Sequence, residues 1–411
     1  MRCPQERKLP VKRLLPLFAL LLGLTACGSA AALPPLDSVA EAMAAAAEQE
    51  EVLLLDEDLL LSLYGLESAD YTEAAGFQAP NGLFPDECIL VKAADMRAES
   101  RIMDALQRRL EQVRAQSRDY DPAGSAMAEK ASVKTDGLYV RLLLSSRAER
   151  MEEVWQKALR GEPLPTPAPT PEPTPEPTPE PTPEPPPAFG RVEESARAED
   201  SFFDDAIFVG DSVTYLLTRQ ALYHRQNDWP DCLGTATFFA ASNFAWRRAA
   251  ANEPAAEYYP VYNGIPMKVE EAVAACGAKK LFIGMGMNDI CMLGLDVTME
   301  NVDITISRVR AQCPEEEIYL MSMTPRLAGY DYYDLNNAFI REYNERLLAY
   351  AEEHECRYLD CYEALCDENG ELPPEYCADP EQQAIHPNAR AADVWLEYVY
   401  THTVPTEGVT E

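Results

Sequence analysis

From about residue 200 onward, short apolar runs alternate with amphipathic stretches. Apolar runs of strand length lie at 206–209, 235–240, 280–285, 317–323 and 357–362. Between them, apolar positions recur with helical spacing at 213–224, 268–275, 304–313 and 335–353, and a last amphipathic helix runs to about Thr401. Strands of this kind alternating with helices predict a mostly parallel five-stranded sheet covered on both faces, over 201–402. Ligands of such sheets bind beyond the carboxyl ends of the strands, so chemistry is expected just after each strand. Before residue 160 the pattern is different. An Ala-rich helix is predicted at 38–49, a strand at 88–93, a long helix at 96–116, a strand at 137–145 and a helix at 148–159. This is a smaller α+β domain over 36–160, with no clustered histidines, Ser-His-Asp set or glycine-rich phosphate loop.

The two regions are joined by a spacer and lead-in, 161–200, built on a Thr-Pro-Glu-Pro repeat from Pro163 to Pro187. Proline at every second position removes backbone donors and fixes φ, which leaves neither helix nor sheet. A polyproline II rod at ~3.1 Å per residue would reach roughly 75 Å and act as a semi-rigid spacer.

The first 26 residues read as a signal peptide. Arg2, Arg7, Lys8, Lys12 and Arg13 precede an apolar run from 14 to about 26, shorter than the ~20 residues that span a bilayer as a helix. The run ends in Leu24-Thr25-Ala26-Cys27-Gly28, which resembles a bacterial lipobox. That resemblance implies cleavage before Cys27, a diacylglycerol on its thiol and a place on the outer face of a cytoplasmic membrane. An ordinary secretory peptide with an incidental cysteine is the alternative. Residues 27–35 and 403–411 are expected to be tails.

Composition narrows the partners. With 69 Asp+Glu against 35 Lys+Arg, nucleic acid is not expected, because affinity for it comes largely from cations neutralising phosphates. Of the eleven cysteines, Cys88 stands alone in the first domain and eight lie in the second. An even number in an exported domain permits disulfides, but eight cysteines allow 105 pairings, among which sequence does not choose. Cys356, Cys361 and Cys366 are separated by four residues each, unlike the two-residue spacing of zinc knuckles. No metal site is expected.

Candidate chemistry falls where the fold predicts it. The first strand of the second domain runs into Gly210-Asp211-Ser212-Val213 and a helix begins at once. A serine there stands at the mouth of the sheet with its N–H at a helix N-terminus, where negative charge is favoured; simple helix capping by Asp211 and Ser212 is the plainer reading. The third strand ends in Gly284-Met285-Gly286-Met287-Asn288-Asp289. Its asparagine amide can point towards the same space, or merely serve a turn. Of four histidines, only His386 lies in a loop ahead of the last helix, in Ala384-Ile385-His386-Pro387-Asn388.

In this order and spacing, Gly210-Asp211-Ser212, Gly286-Met287-Asn288-Asp289 and His386 resemble the blocks of the SGNH branch of the GDSL esterase and lipase superfamily, over roughly 200 residues. The resemblance implies a flavodoxin-like three-layer α/β/α sandwich and a serine ester hydrolase without metal or organic cofactor. It implies Ser212 as nucleophile, His386 as base, and an oxyanion hole from the Ser212 N–H and the Asn288 side chain. Two departures matter. The family glycine after strand two, whose N–H completes the oxyanion hole, is replaced by Phe239-Ala240-Ala241-Ser242-Asn243, and Ala241 is the candidate donor. The family pattern Asp-x-x-His would put aspartate where Gln383 stands. Asp379 or Glu381 could bend round to orient His386, with Asp379 the favoured substitute; alternatively a backbone carbonyl suffices. Substrates expected are carboxylic esters, with O-acetyl groups of cell-wall or other polysaccharide among them. The alternative is an SGNH scaffold that lost its carboxylate and only binds an envelope polymer. Aromatic residues at Phe244, Trp246, Tyr258, Tyr259 and Tyr262, and at Tyr330, Tyr332 and Tyr333, could stack on sugars or simply pack.

Overall fold

The computed structural model describes residues 33–80, 82–118, 120–164, 189–252, 255–329 and 335–404. The signal and lipobox with Cys27, the Thr-Pro-Glu-Pro spacer, and Tyr330, Tyr332 and Tyr333 lie outside the described residues.

The first domain runs α1 (Leu36–Ala46), β1 (Leu53–Leu54), α2 (Glu57–Tyr64), β2 (Tyr71–Gln78), β3 (Glu87–Ala93), α3 (Met96–Ser117), α4 (Pro122–Lys130), β4 (Lys134–Asp136), β5 (Tyr139–Leu144) and α5 (Ala148–Leu159). Its strands form one antiparallel sheet in the order β1-β2-β3-β5-β4. Side chains of successive strand residues point to opposite faces, and β3 uses both. Cys88 and Leu90 enter a core with α1 and α5, while Ile89 and Val91 enter a second core with α2 and α3. Being apolar on both faces, β3 is the central strand. The sequence reading missed β2, whose Tyr-Thr-Glu-Ala-Ala-Gly-Phe-Gln lacks a β-branched apolar run.

The second domain runs β6 (Gly190–Arg191), β7 (Ala206–Gly210), α6 (Ser212–Gln226), β8 (Thr237–Ala240), α7 (Trp246–Ala249), the hairpin β9 (Val261–Tyr262) and β10 (Ile265–Pro266), α8 (Val269–Cys276), β11 (Lys280–Gly284), α9 (Ile290–Gln312), β12 (Glu317–Met321), α10 (Asn337–Glu353), β13 (Arg357–Leu359), α11 (Cys361–Leu365) and α12 (Ala389–Thr401). The sheet is parallel, in the order β6-β13-β12-β11-β7-β8. Helices α6 and α12 cover one face; α8, α9 and α10 cover the other. Five strands were expected and six are present. The sixth comes from the stretch assigned to the lead-in: Gly190 N–H donates to the Cys356 carbonyl at 2.9 Å and Val192 N–H to Tyr358 at 2.9 Å. Register is fixed in part by aromatic rings. Phe208, Phe282 and Tyr319 stand opposite one another on β7, β11 and β12, stacked with centroids 4.6 and 4.4 Å apart. Such pairs add to the burial of the rings themselves.

The two domains are in contact. Arg219 of α6 is 2% exposed. Its guanidinium reaches into the first domain, donating to the Gln78 side chain and to the carbonyls of Ala79 and, at 3.3 Å, Pro80. Gln226 and Leu54 exchange two hydrogen bonds of 2.8 Å. Gln112 Nε2 donates to the Tyr259 carbonyl at 3.0 Å, and Gly264 N–H to Ser62 at 3.1 Å. At Gly264 (φ +69°) a side chain's first carbon would fall 2.4 Å from the backbone of Gly65, a close approach that only glycine permits.

The described cysteines are all free thiols, so the disulfides that the sequence permits do not form among them. Cys361 is buried and accepts a 3.0 Å hydrogen bond from Trp395 Nε1. No group of His, Cys, Asp and Glu able to hold a metal occurs among the described residues. None of the described helices is long and apolar enough to cross a membrane.

Candidate active site

Ser212 sits at the first position of α6, directly after β7. Two features fix it there. Asp211 caps the helix, its carboxylate accepting from Val213 N–H at 3.0 Å. Gly210 lets β7 and α6 close up, because a side-chain carbon on it would lie 2.2 Å from Thr214 Oγ1 and 2.5 Å from the Gly284 carbonyl. As the first helical residue, Ser212 has an N–H with no intrahelical partner, aimed out of the helix N-terminus.

His386 stands in the loop ahead of α12, buried at 1% exposure. Its Nε2 is 3.0 Å from Ser212 Oγ. Its Nδ1 is 2.7 Å from Asp379 Oδ2, and its backbone N–H donates to Asp379 Oδ1 at 3.1 Å. The carboxylate therefore comes from seven residues upstream of the histidine instead of three. The loop turns back through Ala378 N–H, which donates to the His386 carbonyl at 2.8 Å, and through Ala384 in the left-handed region (φ 57°). Arg326 braces the loop, donating to the Gln383 carbonyl at 3.0 Å. Burial pushes the Asp379 carboxyl up, but its hydrogen bonds with His386 more than offset this and hold it below the usual aspartate value. An ionised Asp379 accepting from Nδ1–H leaves Nε2 as the acceptor, the form a general base requires. Glu381, the other substitute considered, makes no such bond.

Asn288 follows β11 and donates through Nδ2 to the Phe244 carbonyl at 3.0 Å. An amide nitrogen carries two hydrogens, so one remains for an oxyanion. The neighbouring Asp289, fully buried, accepts from Trp246 N–H at 2.9 Å and Arg247 N–H at 3.1 Å. It thereby pins the loop after β8 to the loop after β11. Burial raises its carboxyl above the ordinary value despite Arg247 beside it.

Ala241 is a correction. Its N–H, expected in the oxyanion hole, donates to the Gly210 carbonyl at 3.1 Å and so extends the β7–β8 ladder by one residue. The Ser212 N–H and the second hydrogen of the Asn288 amide remain the candidate oxyanion donors. Of the aromatic residues, Phe244, Trp246 and Tyr259 are buried in the core, and Trp246 Nε1 is engaged by the Met285 carbonyl and Tyr343. They pack; they do not face a ligand.

One residue of the site was not anticipated. Tyr120, in the turn between α3 and α4 of the first domain, places its hydroxyl 2.7 Å from Ser212 Oγ and 3.2 Å from His386 Nε2. The Tyr120 and His386 rings meet edge-on, with centroids 6.2 Å apart. Gln383, in the position where aspartate was looked for, donates through Nε2 to the Tyr120 carbonyl at 3.1 Å. No local signal marks Tyr120. It lies in an acidic turn 92 residues before the serine it touches. With it in place, Ser212 is 0% exposed. A cleft of about 450 Å³ lies elsewhere on the domain boundary, lined by Tyr64, Arg109 and Glu257 among others.

Residues 208–394 match the model of the GDSL-like Lipase/Acylhydrolase family. Residues 45–145 match a domain of unknown function, DUF4358. No curated protein matches the chain. Among solved structures, a GDSL-like lipase from Bacteroides thetaiotaomicron is 17% identical, covering 48% of this chain and 86% of that one, with a TM-score of 0.35. The periplasmic domain of a lipopolysaccharide acetyltransferase from Salmonella ser. Paratyphi A is 15% identical, covering 47% and 82%, with a TM-score of 0.34. A carbohydrate esterase family 3 protein from Talaromyces cellulolyticus is 14% identical, covering 47% and 93%, with a TM-score of 0.33.

Proposed function

Starting from a C-terminal region that matches the GDSL-like lipase/acylhydrolase family, we propose that this protein is a serine esterase acting through Ser212, His386 and Asp379. The observation that carries the reading is the unbroken line from Ser212 Oγ to His386 Nε2 at 3.0 Å and from Nδ1 to Asp379 Oδ2 at 2.7 Å. Ser212 Oγ attacks the ester carbonyl carbon while its proton passes to His386 Nε2. Negative charge collects on the carbonyl oxygen, within reach of the Ser212 N–H and the Asn288 amide. Collapse breaks the bond to the alkoxy oxygen, which takes the proton from Nε2 and leaves as alcohol. Water, deprotonated by the same nitrogen, then attacks the acyl-serine; the acid departs and Ser212 regains its proton. Asp379 keeps Nδ1 protonated and balances the imidazolium in both steps.

The rival reading, a scaffold that lost its carboxylate and only binds, rested on Gln383. Asp379 Oδ2, 2.7 Å from Nδ1, supplies the partner that Gln383 does not, which supports the esterase over the scaffold. The test is labelling of the full chain with a fluorophosphonate, mapped by mass spectrometry. Label on Ser212 that disappears in His386→Ala supports the esterase; a folded protein whose Ser212 takes no label in any form overturns it.

For the substrate, the reading favours O-acetyl groups of polysaccharide or cell-wall glycan, on the strength of the export signal in the sequence. Acetate release from O-acetylated xylan or peptidoglycan checks it, and no release from any glycan counts against it. The same signal puts the protein on a lipid anchor at Cys27, outside a bacterial cytoplasmic membrane. Metabolic labelling with a radioactive fatty acid that persists in Cys27→Ala would refute the anchor.

A further inference from the structure

We propose that the first domain, residues 36–160, is a resident inhibitor of the esterase, and that the Tyr120 hydroxyl occupies the place of the acyl acceptor. The inference rests on the reading of Ser212 as the nucleophile. In the second half of an ester hydrolysis, the attacking water must touch the base nitrogen and stand over the carbon carried by the serine oxygen. A hydroxyl 3.2 Å from His386 Nε2 and 2.7 Å from Ser212 Oγ fills that position.

The contact also interferes with activation. A neutral imidazole offers one acceptor lone pair. With Nδ1–H held by Asp379, only Nε2 accepts, and both Ser212 and Tyr120 lie within its reach. When Tyr120 takes the lone pair, Ser212 loses its base. When Ser212 takes it, the Tyr120 ring still stands where an ester must enter. Ser212 at 0% and His386 at 1% exposure leave no approach for a carbonyl while the turn is seated.

The seat is built at several independent points. Gln383 Nε2 holds the Tyr120 carbonyl. The turn itself is set by Tyr120 and Asp121 N–H groups donating to the Ser117 carbonyl, at 3.1 and 2.9 Å. In the loop after β8, Ser242 Oγ donates to the Leu83 carbonyl at 2.9 Å. Behind these, Arg219 joins a hydrogen-bonded chain that continues into the first domain, from Gln78 to the Tyr64 hydroxyl at 2.7 Å and on to Glu87 at 3.1 Å. Because both partners belong to one chain, the contact is made at high effective concentration, and it opens without dissociating the cover. Reactivity is then set by the fraction of molecules in which the turn is lifted.

The experiment is the rate of fluorophosphonate labelling of Ser212, with 4-nitrophenyl acetate hydrolysis beside it, in the full chain. Tyr120→Ala removes the plug. Gly264→Asn tolerates the left-handed backbone but drives a side chain into Gly65, wedging the domains apart at a point remote from the serine. Each is expected to label about tenfold faster or more than the wild type. Tyr120→Phe, which keeps the ring, should gain less than Tyr120→Ala. A folded Tyr120→Ala that labels no faster than wild type overturns the proposal; were that variant to fail to fold, the same criterion applies to Gly264→Asn. Slower hydrolysis by a folded Tyr120→Ala would likewise overturn it, making Tyr120 a helper of the reaction. Absence of label in every form sinks the esterase reading instead, and the two failures are told apart by whether the wild type labels at all.

Discussion

The second domain writes its chemistry in short motifs, and the first writes nothing comparable; yet the first domain brings a hydroxyl nearer to Ser212 Oγ, at 2.7 Å, than His386 does at 3.0 Å. The difference has a physical origin. A nucleophile at a strand end needs a glycine for close packing, a capping aspartate and a helix N-terminus, and those needs leave a local pattern around Ser212. A residue that covers the site needs only to be on the right surface when two domains meet. Tyr120 satisfies that from a turn whose neighbours carry no recurring pattern. Motifs record what the backbone must do locally, and contacts between domains largely escape them.

The comparison breaks most sharply at the nucleophile. In a Tyr120→Ala background, Ser212→Ala should lower ester hydrolysis by about a millionfold, as for other activated serines; residual turnover near the parent rate would show a second nucleophile. Next, Asp379→Asn should lower kcat by about 10⁴-fold, since the wrong tautomer of His386 is then held. The paired change Glu381→Gln should leave kcat within about twofold, and kinetics of both against the same ester separates the two carboxylates. Asn288→Ala should lower kcat by about 10²–10³-fold with a smaller effect on KM, the signature of a lost oxyanion donor. On the cover, Arg219→Ala leaves Gln78 and two carbonyls without their partner, each worth about 1 kcal/mol or more; labelling of Ser212 should accelerate several-fold while kcat in the opened form stays unchanged.

The smallest effect lies far from the boundary. Glu316, ahead of β12 at the opposite end of the sheet from Ser212, has an unpartnered Oε1, and burial pushes its carboxyl up to about 8. Its folded value is raised, so the penalty is absent below the ordinary glutamate range near pH 4.5 and grows as pH rises towards 8. Glu316→Gln should therefore raise stability at pH 8 by at most about 1 kcal/mol, after allowing for its partial exposure. It should change nothing at pH 4, and labelling of Ser212 should be unaffected; thermal melts at the two pH values test it.

Much of the second domain was legible because its elements satisfy local rules. The strands were placed within a few residues, and in the first domain the helix expected at 148–159 is α5 at Ala148–Leu159. What escaped did so for particular reasons. The helix read at 304–313 belongs to α9, which begins at Ile290; Gly294, with φ 72° and ψ 173°, interrupts it and masks the periodicity. Gly190–Arg191 is too short to signal a strand and is one only because β13 offers an edge. Asp379 was a candidate among others, because a carboxylate seven residues from its histidine depends on how the loop bends. Ala241 was assigned by analogy to a glycine position, and sheet pairing with Gly210 claimed its N–H first.

The bonds that hold Tyr120 over the serine have one further property. In a chain with a formal net charge of −34, every ion pair between described residues lies within one domain. Arg219 crosses the boundary, but the oxygens that receive it belong to an amide and to peptide carbonyls. Dissolved salt screens charge against charge and does less to a guanidinium donating to a neutral oxygen at contact distance. Ionic strength is therefore a weak lever on this seam, and Ser212 should label at nearly the same rate in dilute buffer and in brine. Whatever lifts the turn has to compete for its hydrogen bonds or pull on the chain.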